Sequence, residues 1–444
     1  TKTKPKSVTL TVQKPDGRKL SREIKNTGNW FELGLQNQLR KELFLSINNQ
    51  ADNANGPISY VKKIAQKGEV EKVKLHFFPY EADAHLSWVQ RNSQLKIPIY
   101  SLSYSNGNAV LDSIDLDGKV DTKLVALDEN EIEKLSRRLI DGGDLSEEEA
   151  LSACKSFEAL SNAAGVLRER AIIFVPSVNL FPIPAEIIFG TYCFSKSTAI
   201  VQASDVTGAI NFSRYQSDVK MPSNFVGVGN PLVVKSSANN IFSSLFRGEA
   251  AERAFQGMEQ NFQPLPDAEE EIKDIADYFV SKDVYLTKDA SILVGLDKAS
   301  QLSITGKTVA ITLATHGVPL NVEDGIYMPS LLSIEGGKTK LISNSMVETA
   351  SIQNSTVVLS ACDTAAGLAE TRDLMFTGFV ESFANAGSRL IVASLWPVHS
   401  YSSRVISTSF FSNWKTKNLI SAISNAKNSV NERVRSLPFV YLVP

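Results

Sequence analysis

The sequence predicts an α/β fold centred on a mostly parallel β-sheet, and three observations support this prediction. Beyond about residue 170, apolar segments of strand length run without alternation, among them KTVAITLATHG, STVVLSAC and SRLIVASLWP. Such continuous apolar strands are typical of a parallel sheet that is covered on both faces. Helical segments separate them, notably FTGFVESFANAG at 376–387, as expected of strand–helix–strand units. No short repeat recurs along the chain, so a solenoid is not predicted.

The first 117 residues predict a small strand-rich region. Segment 7–24 alternates apolar and polar residues around Pro15-Asp16-Gly17, which predicts a β-hairpin. Segment 29–47 has helical spacing, and KVKLHFF, IPIYSLSYS and AVLDSIDL then predict strands up to about residue 117. We interpret residues 1–117 as an N-terminal regulatory or docking region.

The segments after residue 117 predict helices first and then the α/β pattern. An acidic linker leads into DENEIEKLSRRLI and LSEEEALSACKSFEALSNAAGVL, which both predict helices. RAIIFVP and NFVGVGNPLV predict buried strands. LPDAEEEIKDIADYFV predicts an amphipathic helix with Ile272, Ile275, Ala276 and Phe279 on one face.

Charge is distributed unevenly along the chain. The formal net charge is -2, which argues against a general nucleic-acid-binding protein, and no Gly-rich phosphate loop is present. Residues 1–74 nevertheless contain 15 Lys and Arg against 7 Asp and Glu, a net charge of +8. This surplus is compatible with an ordinary solvated face and also with a docking surface for an acidic partner.

The cysteines and the apolar segments bear on the compartment. The three cysteines, at 154, 193 and 362, do not form a full disulfide set and favour a reducing compartment. No segment approaches the roughly 18 apolar residues that predict a membrane span, and the Lys-rich start lacks the apolar core of a secretory signal. We therefore expect a cytoplasmic protein that does not insert into a membrane.

Two apolar segments each end at one reactive side chain. TLATHGVPL reaches His316 and VVLSACDTAAG reaches Cys362, 46 residues later, close to the roughly 50 residues between the same pair in caspases. At the carboxyl ends of neighbouring parallel strands the two side chains would meet, and an imidazole can generate the nucleophilic thiolate. The backbone N–H groups of Gly317 and Cys362 are candidates for an oxyanion hole. A buried, inert cysteine is the alternative, and it is our interpretation of Cys154 and Cys193.

The residues around these strand ends suggest a substrate pocket. Asp363 and Asp373 are the nearest carboxylates in sequence, and either could hold a basic residue before the scissile bond. Trp396 is a candidate for an apolar pocket wall, with plain core packing as the alternative. The Gly- and Ala-rich segment 363–373 and the polar connection 316–340 are predicted to be loops that could reorder to gate the site.

Together these motifs resemble the CHAT family of caspase-like cysteine peptidases, which is related to caspases, separases and gingipains. AIIFVPSVNLFPIPAEIIF, VGVGNPLV, LPDAEEEIKDIADYF, LATHG, VVLSACDTAAG and FANAGSRLIVASLWPV occur in the family's order over about three quarters of the chain. The resemblance implies a two-lobed caspase-like fold, with a non-catalytic half at 118–265 and a catalytic half at 266–444. It implies His316 as general base and acid and Cys362 as nucleophile, with no metal or organic cofactor.

The resemblance also implies a biological setting. Family members cleave a partner protein after activation in bacterial defence or cell-death pathways, and gasdermin-like pore formers are one kind of target. An activating partner would act through the N-terminal region. The alternative is a catalytically silent scaffold that keeps the fold and binds proteins. One departure is His399, which stands where the family commonly has Asp after Trp-Pro-Val.

Overall fold

The computed structural model describes the backbone of residues 7–13, 19–25, 59–66, 69–76, 95–105, 108–140, 145–176, 180, 182–204, 206–216, 219–232, 262–322, 326–361 and 378–444. The chain divides into two compact units, Thr1–Ser93 and Gln94–Pro444. None of the helices in these ranges is both long and apolar enough to cross a membrane.

The described residues of the first unit form two antiparallel hairpins. Strands β1 (Ser7–Gln13) and β2 (Lys19–Lys25) form one, and β3 (Ser59–Gln66) and β4 (Glu69–His76) form the other. The hairpin predicted at 7–24 is therefore confirmed. The helix predicted at 29–47 lies outside the described residues.

The second unit is built on one large sheet. Its described strands are β5 (Ile99–Ser105), β6 (Asn108–Ile114), β7 (Val120–Ala126), β8 (Ala171–Val175), β9 (Ala199–Ala203), β10 (Asn224–Gly229), β11 (Ser281–Leu286), β12 (Val309–Ala314), β16 (Thr356–Ser360), β17 (Leu390–Ser394) and β18 (Phe439–Val443). A separate small antiparallel sheet consists of β13 (Gly317–Val322), β14 (Ile326–Glu335) and β15 (Lys338–Ser343). The eleven described strands of the large sheet lie in the order β11-β10-β12-β16-β17-β18-β9-β8-β5-β6-β7.

Two sets of parallel strands make up this sheet. Strands β11, β10, β12, β16 and β17 are mutually parallel, and so are β18, β9, β8 and β5. Strand β18 is antiparallel to β17. The two sets therefore run in opposite directions. The carboxyl ends of one set lie next to the amino ends of the other set within one continuous sheet. The predicted α/β class, with a large and mostly parallel sheet, is confirmed.

Helices cover this sheet. Those of the described ranges are α1 (Glu129–Ile140), α2 (Glu147–Ser156), α3 (Glu158–Ala164), α4 (Ala185–Ile188), α5 (Val206–Asn211), α6 (Pro266–Ala276), α7 (Ile292–Ile304), α8 (Asn344–Glu348), α9 (Phe379–Asn385), α10 (Ser400–Thr416) and α11 (Leu419–Lys427). The segment predicted as one helix at 145–167 is two, α2 and α3, which meet at Phe157.

Strand β10 shows why both faces of the sheet are apolar. Its side chains alternate between the faces, and a Cβ on Gly227 would come within 2.6 Å of the Ile272 side chain of α6. On the other face Val228 approaches α7, where a Cβ on Gly295 would lie 2.8 Å from it. One helix thus packs closely on each face. The glycines on β10 and α7 are sites of close approach rather than turns.

Three segments of the second unit differ from the sequence prediction. Strands β5 and β6, assigned from sequence to the N-terminal region, belong to the large sheet, because β5 pairs with β8 and β6 pairs with β5. The predicted acidic linker contains the edge strand β7. The predicted polar loop at 316–340 is mostly the sheet β13–β14–β15, whose buried Leu331, Leu332 and Ile342 join the core.

The cysteine prediction also requires a correction. Cys154 on α2 and Cys193 after α4 form a disulfide with a Cα–Cα distance of 6.4 Å. Two of the three cysteines are therefore paired, and the cysteine count does not support a reducing compartment. Both residues are structural, as predicted, and Cys154 is buried.

Candidate active site at the carboxyl ends of two neighbouring strands

The two predicted catalytic residues follow strands that lie side by side. Strands β12 and β16 are parallel, and their register sets Ala314 opposite Ser360. Each of these residues stands two positions before a predicted catalytic residue, His316 or Cys362. The N–H of Thr315 donates to the carbonyl of Ser360 at 3.2 Å, which extends the pairing by one residue.

The predicted nucleophile, Cys362, lies beyond the described part of the chain. The description stops at Ala361, which is buried, and resumes at 378. Cys362, Asp363 and Asp373 therefore stay sequence predictions.

His316 is held on both sides of its backbone and through its ring. The hydroxyl of Thr315 donates to the carbonyl of Leu332 at 2.6 Å, and the carbonyl of His316 accepts from the N–H of Leu332 at 3.0 Å. Nε2 of His316 lies 2.9 Å from the carbonyl oxygen of Gln263. The Phe262 ring packs against the imidazole with the ring centroids 5.0 Å apart.

These contacts determine the protonation of the imidazole. A carbonyl oxygen only accepts hydrogen bonds, so Nε2 of His316 carries the proton that bonds Gln263. In the neutral ring Nδ1 is then the free acceptor. Burial lowers the pKa of His316, and the bond to Gln263 opposes part of that shift. The ring is therefore a neutral base around pH 7.

Asn230 organises the segment that binds His316. It directly follows β10 with a φ of 50°, and its N–H donates to the carbonyl of Ala314 at 3.0 Å. Its side-chain oxygen accepts from the N–H of Leu265 at 2.7 Å, and its amide nitrogen donates to Glu269 at 3.0 Å. Asn230 thus links β12 to the start of α6, two residues after Gln263. The Gly-Asn-Pro segment was identified in the sequence, but not this role.

The small sheet that follows His316 is anchored to helix α7. The buried carboxylate of Glu335 accepts from the hydroxyls of Ser291 and Ser333 at 2.6 and 2.5 Å, and from the N–H of Leu293 at 3.1 Å. It therefore satisfies backbone and side-chain donors in the first turn of the helix. This part of the 316–340 connection is packed, contrary to the loop that the sequence predicted.

Two other predicted site residues are described. Gly317 is the first residue of β13, is half-buried and pairs with Leu331, and its part in an oxyanion hole stays a prediction. Trp396 is only 2% exposed and belongs to the main hydrophobic core. Core packing, the alternative that the sequence left open, accounts for this burial, and a role as pocket wall stays a prediction.

A buried carboxyl group lies beneath the end of β16. Glu271 of α6 is 1% exposed, and Ser360 Oγ lies 2.5 Å from its Oε1. Ser360 Oγ is also 2.5 Å from Ser403 Oγ and 3.5 Å from Ser407 Oγ, both on α10. Burial raises the pKa of Glu271 to about 7, although hydrogen bonds from Ser360 and Ser407 oppose this. Nothing in the sequence pattern indicated this cluster.

The described ranges contain no candidate metal-binding site. No group of three or more His, Cys, Asp or Glu side chains is arranged there to hold a metal ion.

One family model and several solved structures match this chain. Residues 132–438 match the family model of the CHAT domain, and no curated protein matches the sequence. Among solved structures, a Saccharomyces cerevisiae separase–securin complex is similar with a TM-score of 0.47 at 10% identity, over 83% of this chain and 32% of that one. The Arg-specific cysteine proteinase gingipain R is similar with a TM-score of 0.40 at 8% identity, over 71% and 74%. The chain thus spans about a third of the length of the separase chains that it matches.

Proposed function

Because this chain belongs to the CHAT domain family, we propose that it is a cysteine endopeptidase with Cys362 as nucleophile and His316 as general base and acid. The observation that carries the proposal is the register of β12 and β16. Ala314 lies opposite Ser360, so the two proposed catalytic residues follow neighbouring strands at equal distances along the chain. Reactive groups of parallel sheets gather beyond such carboxyl ends.

The state of His316 suits the first step of acyl transfer. With Nε2 donating to Gln263, Nδ1 is free to accept the thiol proton of Cys362. The thiolate then attacks the carbonyl carbon of the scissile peptide, and the resulting oxyanion would be bound by the N–H groups of Gly317 and Cys362. The imidazolium returns its proton to the leaving amine, and water hydrolyses the acyl-enzyme.

Substrate selection is proposed on charge. Asp363 or Asp373 would hold a basic side chain on the residue before the scissile bond, and Trp396 would border that pocket. A cleavage profile that requires an acidic residue at this position would contradict this part of the proposal.

We further propose that the substrate is a partner protein, cleaved after activation in a bacterial defence or cell-death pathway. A gasdermin-like pore former is one substrate of this kind. The activating partner would bind the N-terminal unit, whose first 74 residues carry a net charge of +8. Removal of the whole unit Thr1–Ser93 tests this, since it is a compact body of its own. Activity that neither this deletion nor an added partner changes would contradict the gate.

The decisive experiment is proteome-wide mapping of cleaved termini. The wild type is compared with the Cys362→Ala and His316→Ala variants, and a Cys154→Ser/Cys193→Ser variant controls for the other cysteines. We expect cleavage to fall by on the order of 10³-fold or more in the two site variants and to persist in the control. Identical cleavage patterns for wild type and Cys362→Ala would refute the protease and favour a silent scaffold.

A further inference from the structure

Helix α6 carries an acid in a place where acids are seldom found. Glu271 is fully enclosed beneath the sheet, and its neighbours Glu269 and Glu270 on the same helix reach solvent and bond cations. In the described part of the chain no ion pair to Glu271 is found. A buried carboxyl without a cation is costly unless hydrogen bonds satisfy it. Its partner Ser360 is therefore central to its role.

We propose that Glu271 is a positioning residue for the nucleophile, because its hydrogen bond to Ser360 fixes the end of β16 from which the chain continues into Cys362. The proposal rests on the proposed function in one respect, since it takes Cys362 as the reactive thiol.

The cluster joins three elements that border the candidate site. Glu271 lies on α6, whose preceding segment binds His316 through Gln263. Ser360 ends β16, and Ser403 lies in the first turn of α10, where its N–H donates to the carbonyl of His399. A single carboxyl group thus connects the element beside the base, the element before the nucleophile and the helix after the Trp-Pro-Val-His segment.

Proton counting shows that the cluster has two states. A serine hydroxyl donates only one hydrogen bond, and Ser360 Oγ lies 2.5 Å from both Glu271 and Ser403. When Glu271 is ionised, Ser360 donates to it and Ser403 donates to Ser360. When Glu271 is protonated, it donates to Ser360, which then donates to Ser403. Protonation of Glu271 therefore reverses the hydrogen-bond direction at the end of β16.

The surrounding charges favour the protonated state. Asp267 and Asp274 lie on the same helix as Glu271, and both raise its pKa, after burial. Asp267 accepts from Ser400 of α10 at 2.7 Å. The neighbouring strands of the sheet, β10, β12 and β16, contain no titratable side chain.

Cations on α10 are engaged elsewhere. Arg404 bonds Asp274 at 2.9 Å and also pairs with Glu270. Lys415, near the other end of the helix, donates to the carbonyl of Tyr278 at 2.9 Å. Above neutral pH the ionised Glu271 is thus held by hydroxyls alone, and the end of β16 is less firmly held than when Glu271 is protonated.

The test measures thiol reactivity, which needs no protein substrate. The rate of iodoacetamide alkylation at Cys362 is followed by mass spectrometry between pH 5 and 9 in the wild type, Glu271→Gln, Ser360→Ala and the double variant. Glu270→Gln is the matched control, because it makes the same change one residue away on the exposed side of α6. Peptide cleavage is measured in parallel once a substrate is known.

Glutamine mimics the protonated acid. The curve of alkylation rate against pH for Glu271→Gln should therefore have the wild-type shape below pH 7 and depart from it above pH 7. We expect its ratio of rates at pH 8 and pH 6 to exceed the wild-type ratio by about threefold, within the range of coupling between contacting residues. In the Ser360→Ala background the same change should alter this ratio by less than about twofold, because the link is already broken. Glu270→Gln should keep the wild-type ratio.

The possible outcomes separate the two proposals. A rate lowered by one factor at every pH in Glu271→Gln would show a merely structural residue and overturn this inference. An unchanged ratio, or full additivity with Ser360→Ala, would also overturn it. If the expected ratios are found and Cys362→Ala leaves all proteolysis intact, the positioning role stands and the proposed peptidase function fails.

Discussion

The carbonyl oxygen of Gln263 lies 2.9 Å from Nε2 of His316. This contact joins the segment before α6 to the end of β12, and it assigns the proton of the neutral imidazole to Nε2. The partner of His316 is a backbone carbonyl oxygen, so any residue type at position 263 would supply this acceptor. What matters is that the segment 262–265 stays in place, and this depends on Asn230.

The first prediction concerns the titration of His316. Burial lowers its pKa below the ordinary value of 6.5, so the neutral base persists into mildly acidic solution. In a protein labelled at its four histidine rings, the NMR signal that disappears in His316→Gln should titrate with a midpoint below 6.5. A midpoint above 6.5 would mean that the imidazolium is stabilised, and the neutral-base mechanism would be wrong.

The second prediction concerns Asn230. Asn230→Gly tolerates the φ of 50° but removes the bonds to Leu265 and Glu269, and leaves the half-buried N–H of Leu265 without its acceptor. We expect a loss of about 1–3 kcal/mol in the free energy of unfolding, measured by urea denaturation. Peptide cleavage should fall further than this loss explains, because Gln263 is no longer held against His316.

Asn230→Asp is the matched comparison for this prediction. It keeps an acceptor for Leu265, but it replaces the donor to Glu269 with a second carboxylate oxygen that repels it, so its cleavage rate should lie between wild type and Asn230→Gly. Equal activity in all three proteins would show that His316 is positioned without the hydrogen bonds of the Asn230 side chain.

The sequence predicted the strands next to the candidate site because they are buried on both faces. Segments 309–314, 356–360 and 390–394 are predominantly apolar without alternation, and each is buried throughout. Strand β7 was missed for the opposite reason. As an edge strand it exposes most of its residues, and its composition resembles that of a linker.

The unpredicted parts of the site lack a sequence signal. A backbone carbonyl such as that of Gln263 is present at every position, so nothing distinguishes it until the fold is known. Glu271 stands in the run Glu269–Glu271, which reads as a solvated helix face. Its burial depends on how α6 and α10 pack against β16, which is a tertiary property.

The third prediction concerns the disulfide between Cys154 and Cys193. The two residues are 39 positions apart, and a pairing across that distance cannot be deduced from the sequence. Without reductant, alkylation should label Cys362 and leave the other two unlabelled. The Cys154→Ser/Cys193→Ser variant should lose about 4 kcal/mol on the chain-entropy model, measured by urea denaturation. Labelling of all three cysteines in native, unreduced protein would contradict the pairing.

The last prediction is the pH dependence of stability that Glu271 imposes. Its pKa is raised from 4.5 to about 7 on folding, so the folded state binds the proton more tightly than the unfolded state. The free energy of unfolding should therefore fall as pH rises from 4.5 to about 7, by about 3 kcal/mol in total, and show no further contribution from Glu271 above that. Glu271→Gln removes this slope, so the variant should gain stability over wild type progressively across the window, measured by urea denaturation at each pH.

Glu270→Gln, on the exposed side of the helix, should follow the wild-type curve. Parallel curves for wild type and Glu271→Gln would mean that the carboxyl is not protonated in the folded protein, and the two-state hydrogen-bond chain through Ser360 would lose its basis.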